Sequence, residues 1–364
     1  MDEFGYLDPN KLPNESETSV SNGVSNGYPH LPGYSGTPTR DTPGAESTEP
    51  VEVTQIKTLQ NYQLKELLGK GFFGEVWKAT RDDTIVALKI INVTPDNVEN
   101  IYREVEVLKR ISEPRCQPFL VCYRDSIYLK DQQKFLIEMD LVVGRNIEKF
   151  IADTPDYKRN KYLLLILKDI VTALSYLHSH GIIHNDVKPD NILITSELTP
   201  VLVDFGVSCF DTSWCALPSL PSSALSRSSD LSDLSSSLSS LSFSSLSVPS
   251  LPSADNRKLP CCTGIKGPYI YVSPETIKSE AYYTQSDMWS LGVTCYKTIT
   301  GSYPFDIPTS GNIQSLFYNI RHQPLRKLIT DSRTLNYIVN RCLDRNPLTR
   351  IKPNEISLIL SSLN

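Results

Sequence analysis

The sequence is poor in the residues that build metal centres and disulfide scaffolds. It has 5 histidines and 8 cysteines among 364 residues, and it lacks the Cys-x-x-Cys pairs that favour a zinc site. No run of about 18 apolar residues occurs, so we expect no membrane span. The first residues lack a basic segment followed by an apolar run, so we expect no signal peptide. These absences predict a soluble, intracellular protein whose cysteines are free thiols.

The chain also lacks an excess of basic charge. It carries 36 Lys and Arg residues against 41 Asp and Glu residues, a net charge of −5. A weakly acidic chain is poorly suited to bind nucleic acid or anionic membranes, so we expect neither among its partners. Hydrophobic residues make up 40% and charged residues 21%, which is slightly low for a globular protein. Part of the chain is therefore predicted to lie outside a packed core.

Two segments have the composition of unpacked chain. Residues 1–55 are rich in Ser, Thr, Pro, Gly and Asn and poor in aliphatic residues, so we predict a disordered tail. Residues 213–256 consist mainly of Ser and Leu, which is a low-complexity composition. The leucines at 231, 234, 238 and 241 would also suit one face of a helix. We favour a disordered insert because Ser is a mediocre helix former and the charges are few.

The rest of the chain changes from strand to helix periodicity near residue 145. Before it, alternating apolar residues and turn residues predict a small antiparallel sheet, with strand-like runs that include residues 119–123 and 135–139. Thr94-Pro95 and the apolar spacing that follows predict one helix in the same region. Further helices are predicted at 162–180, 283–300, 312–320, 335–342 and 352–360.

Three glycines, Gly69, Gly71 and Gly74, stand between two predicted strands. The dinucleotide-binding form of this Gly-x-Gly-x-x-Gly spacing requires a helix after the glycines, and here a strand follows instead. Two interpretations remain open. The turn either closes its backbone N–H groups over phosphates, or it is a purely structural hairpin.

Lys89 lies inside an apolar strand, where a lysine is costly to bury without a partner. Glu104, on the predicted helix, shares a face with Leu108. An ion pair between Lys89 and Glu104 that steadies the α- and β-phosphates of ATP explains both residues. The alternative is a lysine at a strand end whose stem is buried and whose ammonium group reaches water.

The strongest signal is a cluster of polar residues in two short loops, at 184–191 and 204–206. Asp186 suits a base that accepts a proton from a substrate hydroxyl. Asn191 and Asp204 supply hard oxygen ligands for Mg²⁺, and Lys188 can neutralise charge on a transferring phosphoryl group. The alternative, a pair of capped polar turns, is disfavoured by the order and spacing of all these elements together.

With these motifs the chain resembles the catalytic domain of eukaryotic-type protein kinases. The resemblance covers residues 60–362 apart from the insert. It implies a bilobal α+β fold, with a small β-rich N-lobe at 60–140, a larger helical C-lobe at 141–362 and ATP between them. The Asp-x-Lys-Pro-x-Asn pattern that begins at Asp186 is similar to the serine/threonine branch.

The resemblance also implies the reaction, which is transfer of the γ-phosphoryl group of Mg-ATP to Ser or Thr hydroxyls of protein substrates. The remaining ATP-binding positions that it implies are Leu68, Val76, Ala87, Met139, Asp140, Val142 and Leu193. The residues of the hydrophobic stack that would join the lobes are Leu108, Tyr123, His184 and Phe205. Glu275 matches the end of the family's activation segment, Arg350 matches its ion-pair partner, and Asp287 matches the central helix of the C-lobe.

Two positions depart from the family. Asn185 stands where most members have an Arg that pairs with a phosphate on the activation segment. We therefore expect activity without a phosphate held at this position, unless another basic residue such as Lys258 or Lys266 compensates. Pro268 stands where serine/threonine kinases usually have a Thr whose hydroxyl bridges the catalytic Asp and Lys, although Thr263 would supply it in a shifted register.

The Ser/Leu-rich insert falls within the activation segment. The entropy of closing a loop grows only logarithmically with its length, so the fold tolerates the insertion. Its serines are tethered close to the cleft, so autophosphorylation is one hypothesis and a passive expansion is the other. A pseudokinase scaffold that binds ATP without transfer is the main alternative function. The presence of Lys89, Asp186, Asn191 and Asp204 disfavours it, and a small-molecule or lipid phosphotransferase ranks lower still.

Overall fold

The computed structural model describes residues 57–71, 74–211, 262, 265, 267–278, 283–309 and 311–362. The predicted tail and the predicted Ser/Leu-rich insert lie outside these residues, and so do Lys258, Thr263 and Lys266. The described chain has a sheet in its first part and helices in its second part, which is the two-lobed arrangement that the sequence predicts.

Six antiparallel strands form the sheet of the N-lobe. They are β1 (Lys57–Leu59), β2 (Tyr62–Gly71), β3 (Gly74–Arg81), β4 (Thr84–Asn92), β5 (Tyr123–Leu129) and β6 (Lys134–Asp140). Their order across the sheet is β1-β2-β3-β4-β6-β5. Strand β6 confirms the strand predicted at 135–139.

Strand β4 lies inside this sheet and is buried on both faces. Successive side chains along a strand point to opposite faces of the sheet, so Val86 and Leu88 share one face and Ala87 lies on the other. Val86 and Leu88 pack into a small N-lobe cluster with Tyr62, whereas Ala87 packs into the main core of the molecule. Lys89 follows Ala87 by two residues, so the alternation turns its side chain toward the main core.

Helix α1 (Val98–Ser112) supplies the partner for this lysine. Ile101, Glu104, Val105 and Leu108 are all buried, at the spacing of one helix face. The three apolar members of this face pack into the main core. The amphipathic spacing of the helix therefore buries Glu104 on the same side as Leu108, as the sequence predicts.

The strand predicted at 119–123 is wrong. Strand β5 begins only at Tyr123, where it pairs with β6. Phe119 has a φ of +66°, which an extended strand does not allow, and Leu120 makes an isolated parallel bridge to Leu202. The apolar character of this segment reflects the burial of Leu120 and Val121, where the segment hydrogen-bonds to Leu202 of the C-lobe.

The C-lobe is mainly helical. Its helices are α2 (Ile147–Ala152), α3 (Asp156–Ser179), α4 (Pro274–Ile277), α5 (Gln285–Thr300), α6 (Ile313–His322), α7 (Arg333–Cys342) and α8 (Pro353–Ser361). The five helices predicted from apolar spacing correspond to α3, α5, α6, α7 and α8. Helix α3 begins earlier than predicted because its first residues are polar and carry no apolar periodicity.

Among the described helices, α3 alone is long and apolar enough to cross a membrane. One face of it, which includes Leu163, Leu167, Ile170 and Leu174, is buried in the main core. It packs against α8 and against the short strand β10 (Pro200–Leu202). Its hydropathy is therefore accounted for by its position inside the C-lobe.

Short strands bring the two polar loops together. Strands β7 (Gly144–Asn146), β9 (Ile192–Thr195) and β10 (Pro200–Leu202) form a three-stranded sheet, and β8 (Ile182–Ile183) pairs with β11 (Cys209–Phe210). The loop at 184–191 begins directly after β8, and the loop at 204–206 precedes β11. Antiparallel pairing of β8 with β11 therefore places the two loops side by side.

Four of the described cysteines are paired, so the expectation of free thiols is wrong for them. Disulfides join Cys116 to Cys122 and Cys209 to Cys262, with Cα–Cα distances of 5.6 Å and 5.2 Å that are ordinary for a disulfide. The second pair is separated by 53 residues in sequence. Tertiary folding brings it together, so local spacing did not reveal it. The free cysteines of the described chain are Cys295 and Cys342.

A buried ion pair joins the segment after the insert to the C-terminal part of the C-lobe. The Arg350 guanidinium donates to both carboxylate oxygens of Glu275 at 2.6 Å and 2.8 Å, and Arg350 also lies 5.4 Å from the ring centre of Trp289. Burial alone would raise the pKa of the Glu275 carboxyl, but the hydrogen bond and charge of Arg350 hold it below its usual value. The predicted partnership of these two residues is confirmed.

Replacing Arg350 with Leu should destabilise the protein by about 3–5 kcal/mol, because the buried Glu275 carboxylate would lose its partner. Arg145→Leu, which removes an exposed pair with Asp153, is the control, with an expected loss below about 1 kcal/mol. Denaturant unfolding at pH 7 measures both losses. Equal unfolding free energies for the two variants would contradict a stabilising role for the buried Glu275–Arg350 ion pair.

The same comparison has a pH dependence. The folded-state pKa of Glu275 lies below its ordinary value of 4.5, so the pair stabilises the protein above that value. This contribution is lost as the pH falls through the folded-state pKa. The stability difference between the wild-type chain and Arg350→Leu should therefore shrink below about pH 4.5, and a constant difference would count against the ion pair as its source.

Candidate active site

Gly69 and Gly71 lie at the end of β2, and Gly74 is the first residue of β3. At Gly74, where φ is +130°, an added Cβ would lie 2.3 Å from the carbonyl oxygen of Ile90, so packing requires glycine there. At Gly69 and Gly71 an added Cβ would meet nothing within 4 Å. Packing does not require glycine at these two positions. Their open surroundings favour the interpretation in which backbone N–H groups approach a ligand.

Lys89 bridges two carboxylates from different parts of the fold. Its Nζ lies 2.6 Å from Glu104 Oε1 on α1 and 3.1 Å from Asp204 Oδ1. Lys89 is 4% exposed and Glu104 is 3% exposed. The expected Lys89–Glu104 ion pair is therefore present, and the alternative of a lysine that reaches water is excluded.

Lys89 and each carboxylate of this triad stabilise each other, whereas the two carboxylates repel, so burial and the charge of Asp204 raise the pKa of the Glu104 carboxyl above its usual value. Burial by itself lowers the pKa of the Lys89 ammonium group, but Asp204 and Glu104 more than reverse that effect and raise it above its ordinary value. Burial by itself raises the pKa of the Asp204 carboxyl, but Lys89 lowers it to about 2. At neutral pH Lys89 is thus a cation and Asp204 an anion.

Asp186 is almost fully buried, and its two carboxylate oxygens differ in their contacts. Oδ2 lies 2.9 Å from Lys188 Nζ and accepts a hydrogen bond of 2.8 Å from Asn191 Nδ2. Oδ1 is buried and has no hydrogen-bond partner among the residues that the structure describes. Burial raises the pKa of the Asp186 carboxyl, and Lys188 opposes this rise. A buried carboxylate with one unpaired oxygen is suited to accept a proton from a bound hydroxyl.

Asn191 and Asp204 offer oxygen atoms suited to a divalent cation. Asn191 uses its Nδ2 to donate to the backbone oxygen and Oδ2 of Asp186, which leaves its amide oxygen as the remaining acceptor. The Asp204 side chain is 39% exposed. In the described part of the chain, no group of three or more His, Cys, Asp or Glu side chains could hold a metal by itself. Two hard oxygen ligands fit Mg²⁺, which commonly completes its shell with water and phosphate oxygens.

Asp287 on α5 anchors the loop at 184–191. Its Oδ2 accepts from the backbone N–H of His184 at 2.9 Å, and its Oδ1 accepts from that of Asn185 at 2.8 Å. His178 Nε2 lies 2.9 Å from the same carboxylate, and Asp287 is fully buried. The sequence motif marks Asp287, but side-chain patterns gave no sign that its partners are backbone groups.

The expected hydrophobic stack lies at the same place. The rings of His184 and Phe205 meet edge to face with centroids 4.8 Å apart. Leu108 and Phe205 are buried in the main core, and Tyr123 packs against that core. Burial lowers the pKa of His184, so the imidazole acts here as a neutral packing element.

Only some of the implied adenine-binding positions lie in or against the main core. Those that belong to the main core or pack against it are Val76, Ala87, Met139 and Val142. Leu68 is 46% exposed, and Leu193 lies on β9 opposite Val201. The backbone N–H of Asp140 donates to the Cys122 carbonyl at 2.9 Å, so it is already engaged within the lobe.

The segment that contains Gly267 and Pro268 packs directly on the loop at 184–191. Gly267 has a φ of +72°, and an added Cβ would lie 2.7 Å from the Asn185 carbonyl oxygen and 3.5 Å from Asp186 Oδ1. The Asn185 side chain donates to the Val207 carbonyl oxygen at 3.3 Å. The neutral amide at position 185 is therefore paired with uncharged partners.

A family model described as the protein kinase domain matches residues 62–214 and 253–358, which is most of the chain. This chain belongs to the protein kinase domain family. The match excludes most of the Ser/Leu-rich insert and includes the polar loops, the triad around Lys89 and the Glu275–Arg350 pair.

Relatives of this kinase domain carry serine/threonine kinase names. A probable serine/threonine-protein kinase of Dictyostelium discoideum is 25% identical over 317 residues, or 85% of this chain and 58% of that protein. The human serine/threonine-protein kinase ULK3 is 26% identical over 303 residues, 80% of this chain and 53% of its own length. KIC1 of Saccharomyces cerevisiae is 27% identical over 307 residues, 81% of this chain and 23% of its own length. The chain thus spans only part of these relatives.

The contact at Gly267 gives a test within the kinase domain. Gly267→Ala should lower phosphoryl transfer to a protein acceptor at least tenfold, because the added Cβ must displace the loop that carries Asp186, and small displacements of reacting groups are costly. Gly301→Ala is a matched control, since Gly301 has a φ of +69° and open surroundings. The left-handed backbone costs each variant about 1–2 kcal/mol of stability, and Gly267→Ala should lose more because of its 2.7 Å contact. Equal transfer rates would show that the contact does not position the loop.

Proposed function

We propose that this chain is a serine/threonine protein kinase that transfers the γ-phosphoryl group of ATP to a Ser or Thr hydroxyl of a protein substrate. The observation that carries the proposal is Asp186, whose Oδ2 is held by Lys188 and Asn191 while its buried Oδ1 has no partner within the described chain. Such an unsatisfied acceptor is costly, and a substrate hydroxyl satisfies it. Asp186 thus orients the hydroxyl and accepts its proton.

Protein kinase domains use ATP and a divalent metal ion. In this proposal, Lys89 and the backbone N–H groups of the glycine turn hold the phosphates, and Glu104 positions Lys89 through their 2.6 Å contact. Asn191 and Asp204 hold Mg²⁺, which when bound neutralises charge on the phosphate oxygens. The anionic state of Asp204 at neutral pH, with its pKa near 2, suits this role.

Lys188 supports the assignment to the serine/threonine branch. Its Nζ contacts Asp186 Oδ2 directly at 2.9 Å, so it is placed to neutralise charge on the transferring group. Because this contact is direct, it does not depend on a bridging hydroxyl at the position of Pro268. The names of the relatives point to the same acceptor class.

Binding of ATP without transfer, as in a scaffold, is the alternative. Loss of a catalytic side chain would favour it, but Lys89, Asp186, Asn191 and Asp204 are all present. Lys89 contacts Asp204, and Asn191 contacts Asp186. The same geometry supports activity without a phosphate bound at position 185, since the Asn185 amide is engaged by the Val207 carbonyl.

The Asp186→Asn variant tests the proposal. Transfer of radiolabelled γ-phosphate to a basic acceptor protein should fall about 10²–10⁴-fold, because the general base is removed. Asp190→Asn is the control, since Asp190 lies in the same loop but is exposed and contacts Asn146. Phosphoamino-acid analysis should place the label on Ser or Thr.

Each outcome has a distinct meaning. Wild-type transfer by Asp186→Asn would contradict the assigned base, and labelled Tyr would contradict the acceptor class. Bound ATP with no transfer by the wild-type chain would support the scaffold. Mapping of the labelled peptides also tests autophosphorylation of residues 213–256, which an unmodified insert would refute.

A further inference from the structure

We propose that the Cys209–Cys262 disulfide is a reversible crosslink that positions the activation segment (residues 204–275) against the loop at 184–191, and that its reduction by thiols lowers phosphorylation of protein acceptors. The inference rests on the proposed kinase function and concerns regulation of the same site. It assigns to a covalent bond the positioning role that an Arg–phosphate pair has in most family members, where this chain has Asn185.

The disulfide joins the two stems of the activation segment. Cys209 lies on β11, five positions after Asp204, and Cys262 lies on the far side of the insert, 53 positions along the chain. Both are buried, at 0% and 6% exposure. The backbone N–H of Cys262 also donates to the Phe210 carbonyl oxygen at 3.2 Å. The returning stem is therefore held to β11 by one covalent bond and one hydrogen bond.

The crosslink also contacts the loop that carries the proposed base. Asn185 Nδ2 lies 2.7 Å from Cys209 Sγ, and Cys209 pairs with Ile183 in the β8–β11 ladder. Ile183, Cys209 and Cys262 form a buried cluster of their own. Ile183 directly precedes His184, so the cluster packs at the start of the loop at 184–191.

The same strand reaches the helix that carries Glu104. The Arg110 guanidinium of α1 lies over the Phe210 ring, 4.9 Å from its centre, and Phe210 is fully buried in the main core. A change in the position of β11 would therefore alter its contacts with α1 as well as with the loop at 184–191. With the disulfide formed, Lys89, Glu104 and Asp204 are in contact, so the crosslinked form is the assembled one.

The chemistry of the switch is thiol–disulfide exchange. A dithiol reductant attacks one sulfur of the bridge, a mixed disulfide forms, and its second thiol displaces the other cysteine. The S–S bond breaks and Cys209 and Cys262 each end as a thiol, while the reductant becomes a cyclic disulfide. A low-molecular-weight disulfide such as oxidised glutathione reverses the reaction by the same exchange and is itself reduced to two thiols.

The experiment compares three forms of the full chain before and after dithiothreitol. They are the wild type, the Cys209→Ser/Cys262→Ser variant and the Cys116→Ser/Cys122→Ser variant, which removes the other disulfide. All are first treated with a general phosphatase, so that no bound phosphate substitutes for the crosslink. Mass analysis of non-reduced peptides gives the fraction crosslinked, and initial rates give kcat and the KM for ATP and for an acceptor peptide.

Reduction of the wild type should lower kcat/KM for the acceptor about tenfold, because loss of positioning is costly in the transition state, and should change the KM for ATP far less. Oxidised glutathione should restore it. The Cys209→Ser/Cys262→Ser variant should be low and insensitive to dithiothreitol, whereas the Cys116→Ser/Cys122→Ser variant should respond like the wild type.

The outcomes separate this inference from the proposed function. Transfer that is unchanged by verified reduction, or a peptide map without the Cys209–Cys262 link, would overturn the inference and leave the kinase assignment intact. Equal losses in both double variants would also overturn it, since they would show a general effect on stability. Absence of transfer in every oxidised form would overturn the proposed function and the inference together.

Discussion

The buried contact of the Lys89 ammonium group with two carboxylates is the interaction on which the rest of the active site depends. Glu104 comes from α1 in the N-lobe, and Asp204 comes from a loop of the C-lobe. Removing such charges from water costs several kcal/mol for each ion, and only their mutual pairing offsets that cost. Strand β4, helix α1 and the loop at 204–206 therefore stabilise one another, and this couples the two lobes at the proposed phosphate site.

The C-lobe provides the rigid support for this arrangement. Asn185 and Asp204 both have left-handed backbone conformations, with φ of +64° and +63°. Such conformations cost on the order of 1–3 kcal/mol each and persist where surrounding contacts over-determine them. At Asn185 these contacts are the Asp287 carboxylate and the β8–β11 pairing. Contacts with the buried helix α5 and the β8–β11 pairing thus stabilise the strained backbone at Asn185.

Much of this organisation is predictable from the sequence, and the exceptions share one physical cause. Apolar spacing predicts the C-lobe helices, and the cost of burying Lys89 predicts a carboxylate partner. Local patterns fail where distant segments meet. Residues 119–122 are apolar because they pack against Leu202 of the C-lobe. The Cys209–Cys262 pair forms across 53 positions, and Asp287 acts through backbone N–H groups. None of these contacts has a periodicity or a spacing to reveal it.

The most direct measurement of the central claim is the single-turnover rate of phosphoryl transfer at saturating Mg-ATP in the Glu104→Gln variant. Loss of one charge from the triad should lower this rate at least tenfold, because Lys89 is no longer held for the phosphates. Glu106→Gln is the control, since Glu106 lies on the same helix in a partly exposed pair with Arg110, and its rate should match the wild type. A Glu104→Gln variant that transfers phosphate at the wild-type rate would contradict the account.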